Sequence, residues 1–151
     1  MQPLNLPPVP LKIQKQNGKT LILDVIRKKY VFLTPEEWVR QHLVHYLINE
    51  LGYPKGLIRI ESGVKYNERA KRSDVVVYDT NGAPNLLVEC KAPSVKLTQA
   101  ALDQVSVYNK SIQAKQIVVT NGLQHIAFEI DFETNQFVRL EGIKAYKKSP
   151  D

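Results

Sequence analysis

Two runs of strand-forming residues on either side of an Asn-Gly pair constrain the fold more than any other part of the sequence. The first run is Asp74–Tyr78, the second is Asn85–Lys91, and Asn81-Gly82 stands between them. Asn-Gly is typical of the two-residue turn that joins antiparallel strands, because both residues tolerate a positive φ. Pro93 then ends the second strand, since proline cannot donate a backbone hydrogen bond. The sequence therefore predicts a β-hairpin over residues 74–91.

The pairing of residues in this hairpin follows from the length of its turn. A two-residue turn places Thr80 opposite Ala83, and continued pairing places Asp74 opposite Glu89. Opposite residues have Cβ atoms about 4.5–5.5 Å apart, so two carboxylates are predicted side by side. Side chains alternate between the faces of a strand, and one face is predicted to carry six of them: Asp74, Val76, Tyr78, Leu87, Glu89 and Lys91.

The paired carboxylates of Asp74 and Glu89 indicate a metal-binding site. Like charges in this position are unfavourable unless a cation compensates for them. Mg²⁺ or Mn²⁺ suits the pair, because hard divalent ions take carboxylate and water oxygens as ligands. Such an ion lowers the pKa of a bound water and neutralises charge that develops on phosphorus. Lys91 is close enough to orient that water or to stabilise the developing charge, which indicates phosphodiester hydrolysis.

The same three residues have a structural alternative. Carboxylates on strands often lie on a solvated face, where Lys91 could form an ion pair with either Asp74 or Glu89. The apolar residues around them favour the functional interpretation. Zinc is disfavoured, because histidine and cysteine side chains are nearly absent from the predicted site.

Two helices and further strands are predicted around the hairpin. The first helix begins after Thr34, a capping residue followed by proline, and ends before Gly52. The second runs from about Thr98 to about Lys110. Additional strands are predicted at Leu57–Glu61, Ile117–Thr120, Leu123–Ile130 and Phe137–Leu140. The order helix, strands, helix, strands predicts an α/β or α+β layer structure.

The length of 151 residues fits a single domain in three parts. Residues 1–33 form an extended or hairpin extension with a turn at Asn17-Gly18, residues 34–143 form the core, and residues 144–151 form a basic tail that is expected to fray. A single cysteine, no signal peptide and no apolar run of about 18 residues indicate a cytoplasmic protein without a membrane span. The formal net charge of +6 favours an anionic partner such as DNA.

A basic stretch precedes the first strand of the hairpin and consists of Lys65, Arg69, Lys71 and Arg72. These side chains are predicted to contact the phosphates of nucleic acid without reading its sequence. A solvated loop is the alternative, and the sequence weighs the two about equally.

Three segments occur in a characteristic order: Pro35–Gln41, Arg72–Tyr78 and Leu87–Pro93. They resemble the PD-(D/E)XK nuclease superfamily and, more closely, the N-terminal nuclease domain of type I restriction enzyme R subunits. Gln104 and Tyr108 on the second helix are similar to the Gln-x-x-x-Tyr element of the RecB-like branch. The resemblance implies a restriction-endonuclease-like αβββαβ core, a mixed sheet flanked by helices.

The resemblance also implies roles for the hairpin residues. Asp74 and Glu89 would bind Mg²⁺ or Mn²⁺, with the backbone carbonyl of Cys90 as a further ligand. Lys91 would be catalytic. Family members often carry a glutamate of the first helix beside the metal, and Glu36 fits by the face of the helix on which it falls. Glu37 is the less favoured candidate for this role and is expected to cap the helix.

The second helix completes the implied site. Gln104 would lean toward the metal and hold Lys91 or DNA, and Tyr108 would lie one turn further along and contact nucleic acid. The implied function is a Mg²⁺-dependent deoxyribonuclease, with a homodimer or a helicase or restriction subunit as a possible partner. The chain has no Gly-rich Lys-Ser/Thr loop of a helicase motor, so a standalone domain is expected. Alternatives are a non-catalytic DNA-binding or assembly module on the same fold, and a structural partner domain.

Overall fold

The computed structural model describes residues 1–64 and 72–148, with backbone alone at 62–64, 72 and 73. Two helices, nine strands and a short 3-10 helix at Lys55–Leu57 form two sheets in this part of the chain. The helices are α1 (Pro35–Asn49) and α2 (Gln99–Ile112). The strands are β1 (Ile13–Gln16), β2 (Lys19–Asp24), β3 (Lys29–Phe32), β4 (Ile58–Val64), β5 (Arg72–Tyr78), β6 (Pro84–Cys90), β7 (Gln116–Thr120), β8 (His125–Asp131) and β9 (Gln136–Leu140).

The first sheet is an antiparallel meander of β1, β2 and β3. Its first turn is at Asn17 and Gly18, which have φ values of 52° and 76°. A turn with two positive φ values requires residues of this kind, and the predicted N-terminal hairpin is confirmed.

The second sheet has the strand order β4-β5-β6-β7-β8-β9. Within it β6 and β7 are parallel, and the other neighbours are antiparallel. The helix α2 makes the crossover between the two parallel strands, as parallel pairing requires. The order α1, β4, β5, β6, α2, β7 gives the predicted αβββαβ core on a mixed sheet, and the α/β fold class is confirmed.

Each face of the second sheet packs against one helix. The face that carries Val75, Val88 and Cys90 packs against α1 through Leu43 and Leu47, all of them buried. The opposite face is formed at its centre by residues that alternate with the first set, and it packs against α2. The buried members of this second cluster are Val76, Leu87, Val105, Tyr108, Ala114, Ile117 and Val119. Neither α1 nor α2 is long and apolar enough to span a membrane, and no other helix of the described residues is.

The predicted register of β5 and β6 is correct at the centre of the hairpin, but the predicted turn is wrong. Val76 pairs with Leu87 as expected, whereas the amide of Asp79 donates to the carbonyl of Ala83 at 2.8 Å, so three residues form the turn. The Asp79 carboxylate accepts from the amides of Asn81 and Ala83, both at 2.9 Å, and this stabilises the longer turn. In β6, the residue after Pro84 has no partner on β5, because Tyr78 pairs with Pro84 and Val77 pairs with Leu86. This extra residue restores the predicted register for the rest of the hairpin.

The N-terminal segment crosses the molecule from α1 to the loop after β7, and we call residues 1–6 the N-terminal strap. The carbonyl of Gln2 accepts from the Trp38 indole at 2.9 Å, and the Asn5 amide donates to the Gly122 carbonyl at 2.7 Å. Gly122 has a φ of 84°, and a Cβ there would lie 2.7 Å from the side chain of Leu4. The strap therefore packs where only glycine leaves room.

The start of the C-terminal tail is held by the domain, which corrects the expectation that it frays. The Tyr146 amide donates to the Leu51 carbonyl at 2.8 Å, and the Tyr53 hydroxyl donates to the Lys144 carbonyl at 2.7 Å. The rings of Tyr53 and Tyr146 also pack together, with centroids 5.6 Å apart. Although the tail is mostly polar, the packing of Tyr146 on Tyr53 attaches it to the domain through apolar contacts.

Candidate functional site

The centre of the candidate site is the pair of carboxylates on β5 and β6. The ladder pairs Val75 with Val88, and if this register continues by one residue, Asp74 lies opposite Glu89. Both side chains point toward the α2 face, and Asp74 and Glu89 are only 2% and 4% exposed. The ammonium of Lys91 lies 3.2 Å from a carboxylate oxygen of Glu89. The sequence prediction that these three residues share one face is thus consistent with the ladder and the ion pair.

Tyr108 of α2 lies over the carboxylates. Its hydroxyl forms a hydrogen bond with Asp74, and burial, the charges of Asp74, Glu89 and Glu61, and this hydrogen bond raise the pKa of Tyr108 to about 12. The phenol therefore keeps its proton at neutral pH and donates to the carboxylate. Tyr108 thus contacts a predicted metal ligand directly, and its predicted contact with nucleic acid stays a prediction.

Glu61 is a third acidic residue near the site, and no role was predicted for it from the sequence. It pairs with Asp74 across β4 and β5, so both side chains lie on the same face. The Tyr78 hydroxyl donates to a Glu61 oxygen at 2.9 Å. No short turn signal joins β4 to β5, so the sequence offered no register that could have placed Glu61 beside Asp74.

The donors at this site fit a hard divalent cation. Asp74 and Glu89 supply neighbouring carboxylates, and the Cys90 carbonyl follows Glu89 in the chain. Among the described residues, no three His, Cys, Asp or Glu side chains converge on one cation position. Two carboxylates completed by a carbonyl and water suit Mg²⁺, which usually keeps several of its waters.

The two glutamates of α1 have different surroundings. Glu36 is half exposed, and its carboxylate accepts from Arg40 at 2.9 Å. Glu37 is 6% exposed, and its carboxylate accepts from Arg27, Arg40 and Gln41 at 2.8–3.0 Å. The helix packs against the face that carries Cys90, opposite the face of Asp74 and Glu89. Glu37 is therefore the buried acid of α1, held by two arginines, and Glu36 is the exposed one; the predicted place of Glu36 beside a metal stays a prediction.

The amide of Glu37 donates to the Thr34 hydroxyl at 3.0 Å, as predicted for a capping position. Of the remaining predicted residues, Gln104 is exposed on α2, one turn before Tyr108. Lys65, Arg69 and Lys71 lie outside the described residues, and Arg72 is described only by its backbone at the start of β5.

Cys90 is buried against α1, as alternation along β6 predicted, and burial raises the pKa of its thiol. We expect the native protein to react with a thiol reagent such as Ellman's reagent far more slowly than the protein in guanidinium chloride, because only the accessible thiolate reacts. Since Cys90 is the single cysteine, the absorbance reports on this residue alone. Equal rates in the native and denatured protein would show that the thiol is accessible.

Comparison with known proteins identifies a family for most of the chain. The family described as type I restriction enzyme R protein N terminus matches residues 35–143, which is most of the chain and includes α1 through β9. No curated protein matches the chain, and no solved structure matches it. The matched range contains Asp74 and Glu89 on neighbouring strands and Lys91 directly after the second of them. The chain therefore belongs to the family of type I restriction enzyme R protein N-terminal domains and is a PD-(D/E)XK nuclease-like domain.

Proposed function

We propose that this domain hydrolyses DNA phosphodiester bonds with Mg²⁺ or Mn²⁺. The observation that supports this most strongly is the burial of Asp74 and Glu89 side by side, with Lys91 3.2 Å from Glu89. Two adjacent buried carboxylates place two negative charges close together on the α2 face. Carboxylate oxygens are the ligands that hard divalent cations prefer, so a bound Mg²⁺ or Mn²⁺ would suit this pair.

The proposed metal ligands are Asp74, Glu89 and the carbonyl of Cys90. When bound, the ion would lower the pKa of a coordinated water and offset charge on the scissile phosphate. Tyr108 holds the Asp74 carboxylate through its hydroxyl, which fixes the position of one ligand. Glu36, half exposed on α1, is proposed as an auxiliary acidic group, because its charge, like those of Glu89 and Asp74, helps to raise the pKa of Cys90.

Lys91 is the proposed catalytic residue. Its ammonium donates to Glu89, so its position is set by a proposed ligand. From there it can orient the attacking water and stabilise the negative charge of the transition state. Gln104, one turn before Tyr108 on α2, is proposed to hold Lys91 or a phosphate.

The proposed substrate is DNA, and the net charge of +6 favours its approach. Arg72 at the start of β5, together with Lys65, Arg69 and Lys71, would bind phosphates without reading sequence. The family suggests a restriction complex in the cytoplasm as the setting, with a helicase or restriction subunit, or a second copy, as partner.

A cleavage assay with a matched binding assay tests this function. Wild-type protein is incubated with supercoiled plasmid in Mg²⁺, Mn²⁺ or EDTA, and Mn²⁺ binding is followed separately by electron paramagnetic resonance. We expect nicked or linear products in both metals, none in EDTA, and Mn²⁺ binding without DNA. If the protein binds DNA in a salt-dependent way yet leaves it intact in both metals, it is a DNA-binding or assembly module instead.

Tyr108→Phe is expected to lower the cleavage rate roughly tenfold and to weaken Mn²⁺ binding. A hydrogen bond to a charged group contributes about 1.5–3 kcal/mol, and its loss lets Asp74 move. Because the pKa of Tyr108 is about 12, the phenol is protonated on either side of neutrality, and the pH profile of cleavage should keep its shape.

Tyr53→Phe is the matched control for this variant. Tyr53 is buried to the same extent, at 3% exposure, and also donates a hydrogen bond, but to the carbonyl of Lys144. If both phenylalanine variants cleave DNA at the wild-type rate, Tyr108 does not position Asp74.

A further inference from the structure

The face that carries Asp74 is only partly covered, and an open groove lies on its uncovered half. The helix α2 packs against β6 and β7 and also covers Val76 of β5, and the groove lies beyond it, over β4 and the end of β5. The groove has a volume of about 470 Å³, within the range of ligand sites. Its lining residues are Gly56, Leu57, Arg59, Glu61, Tyr78, Asp79, Thr80 and Gly82. We call it the Tyr78 groove.

The groove is continuous with the candidate site through Glu61. This residue lines the groove and also pairs with Asp74. Tyr78 follows Asp74 by four residues on β5, which corresponds to about 13 Å along the strand. A nucleic-acid strand with its scissile phosphate at Asp74 would therefore have neighbouring nucleotides within reach of the groove.

The side chains of the groove offer an aromatic ring and hydrogen-bonding groups of both kinds. The Tyr78 ring is half-buried, and its hydroxyl is fixed on Glu61 at 2.9 Å. The Arg59 guanidinium donates through one nitrogen to the carbonyls of Gly56 and Ile58 at 2.7 and 2.9 Å. Among the described residues, no carboxylate lies within ion-pair distance of Arg59. The two hydrogen bonds of one nitrogen fix the guanidinium, and its other N–H groups are available to a ligand.

This combination suits a base better than a phosphate. The carboxylates of Glu61 and Asp79 lie in the same groove and would repel a phosphate, but they accept hydrogen bonds from the amino groups of bases. Tyrosine rings stack on bases with little regard for sequence. The edge of a base is available to such groups when the base is unpaired.

We propose that the Tyr78 groove binds an unpaired nucleobase adjacent to the cleavage site, stacked on Tyr78 and hydrogen-bonded to Arg59 and an acidic side chain. The inference rests on the proposed nuclease function and deepens it, because it makes a single-stranded or locally opened strand the preferred substrate. Duplex DNA, with its bases stacked and paired, would not fill the groove.

Binding measurements without cleavage test this inference. Fluorescence anisotropy in Ca²⁺ compares a labelled single-stranded oligonucleotide with the duplex of the same sequence. We expect wild-type protein to bind the single strand more tightly. Tyr78→Leu should weaken single-strand binding roughly tenfold and leave duplex binding unchanged, because a stacking platform is lost. Tyr78→Phe keeps the ring and should bind the single strand nearly as well as wild type.

Two further variants complete the test. Arg59→Gln changes an exposed side chain and should also weaken single-strand binding even if Tyr78→Leu proves unstable. Phe132→Leu is the matched control, since Phe132 is an exposed aromatic residue after β8, outside the groove. The inference would be overturned if Tyr78→Leu and Arg59→Gln bind the single strand as tightly as wild type does. It would also be overturned if these variants lose affinity equally for the single strand and the duplex. If wild-type protein still cleaves DNA in that case, the proposed nuclease function is unaffected.

Discussion

Lys91→Met is expected to lower the rate of DNA cleavage by about 10²–10³-fold while Mn²⁺ binding persists. The side chain lies beside Glu89 but its ammonium cannot bind a cation, so it contributes charge stabilisation rather than coordination. Asp74→Asn should instead abolish both cleavage and Mn²⁺ binding, because it removes a charged ligand. Electron paramagnetic resonance of Mn²⁺ and a plasmid assay, run on the same preparations, separate the two effects.

Lys144→Met is the matched control for Lys91→Met. Lys144 also forms an ion pair, with its ammonium 2.7 Å from Glu129, but the side chains of Lys144 and Glu129 are both about half exposed. The Lys144→Met variant should cleave DNA at the wild-type rate. Thermal melting must show that Lys91→Met is folded, and added Mg²⁺ should stabilise this variant more than wild type, since Glu89 no longer pairs with the Lys91 ammonium. Cleavage by Lys91→Met at the wild-type rate would exclude a catalytic role for this lysine.

Arg40→Met is expected to lower the free energy of unfolding by about 3–5 kcal/mol. Arg40 is 3% exposed and donates to Glu37 at 2.8 Å and to Glu36 at 2.9 Å. Its removal leaves the buried carboxylate of Glu37 with Arg27 as its single cationic partner among the described residues. Methionine keeps much of the volume, so the loss reports on charge rather than on a cavity.

Urea denaturation monitored by circular dichroism measures this loss. Arg139→Met is the control, because Arg139 is exposed on β9 and its guanidinium lies 5.8 Å from the centre of the Phe128 ring. It should change the free energy of unfolding by less than about 1 kcal/mol. Equal stability of the two variants would mean that the arginine and glutamate cluster of α1 does not stabilise the fold.

The β5–β6 hairpin illustrates how far the sequence could predict this molecule. The two-residue turn expected at Asn81-Gly82 led to the correct central register, although the actual turn is one residue longer. The longer turn and the extra residue after Pro84 offset each other, so Val75 still pairs with Val88, next to Asp74 and Glu89. A strand register is set by which face is buried, and this burial pattern extends over more residues than the turn.

Other features depend on contacts between distant parts of the chain. Glu61 is a neighbour of Asp74 only because β4 pairs with β5, and this pairing could not be predicted from the sequence. Helical periodicity ranked Glu36 above Glu37, but Arg27, which precedes α1, bonds to Glu37 and helps to bury it. Periodicity describes one helix at a time, so it cannot identify which of two adjacent acids meets a partner from another element.

The N-terminal strap has a practical consequence for how the protein is produced. An expression boundary at residue 35, where the family match begins, would remove the backbone partners of Trp38 and Gly122 and uncover the apolar surface around Val39. An affinity tag fused directly to Met1 would extend from the same edge of α1. A tag at the far end of the chain, beyond Asp151, leaves the strap as it is, and activity assays are best begun with that version.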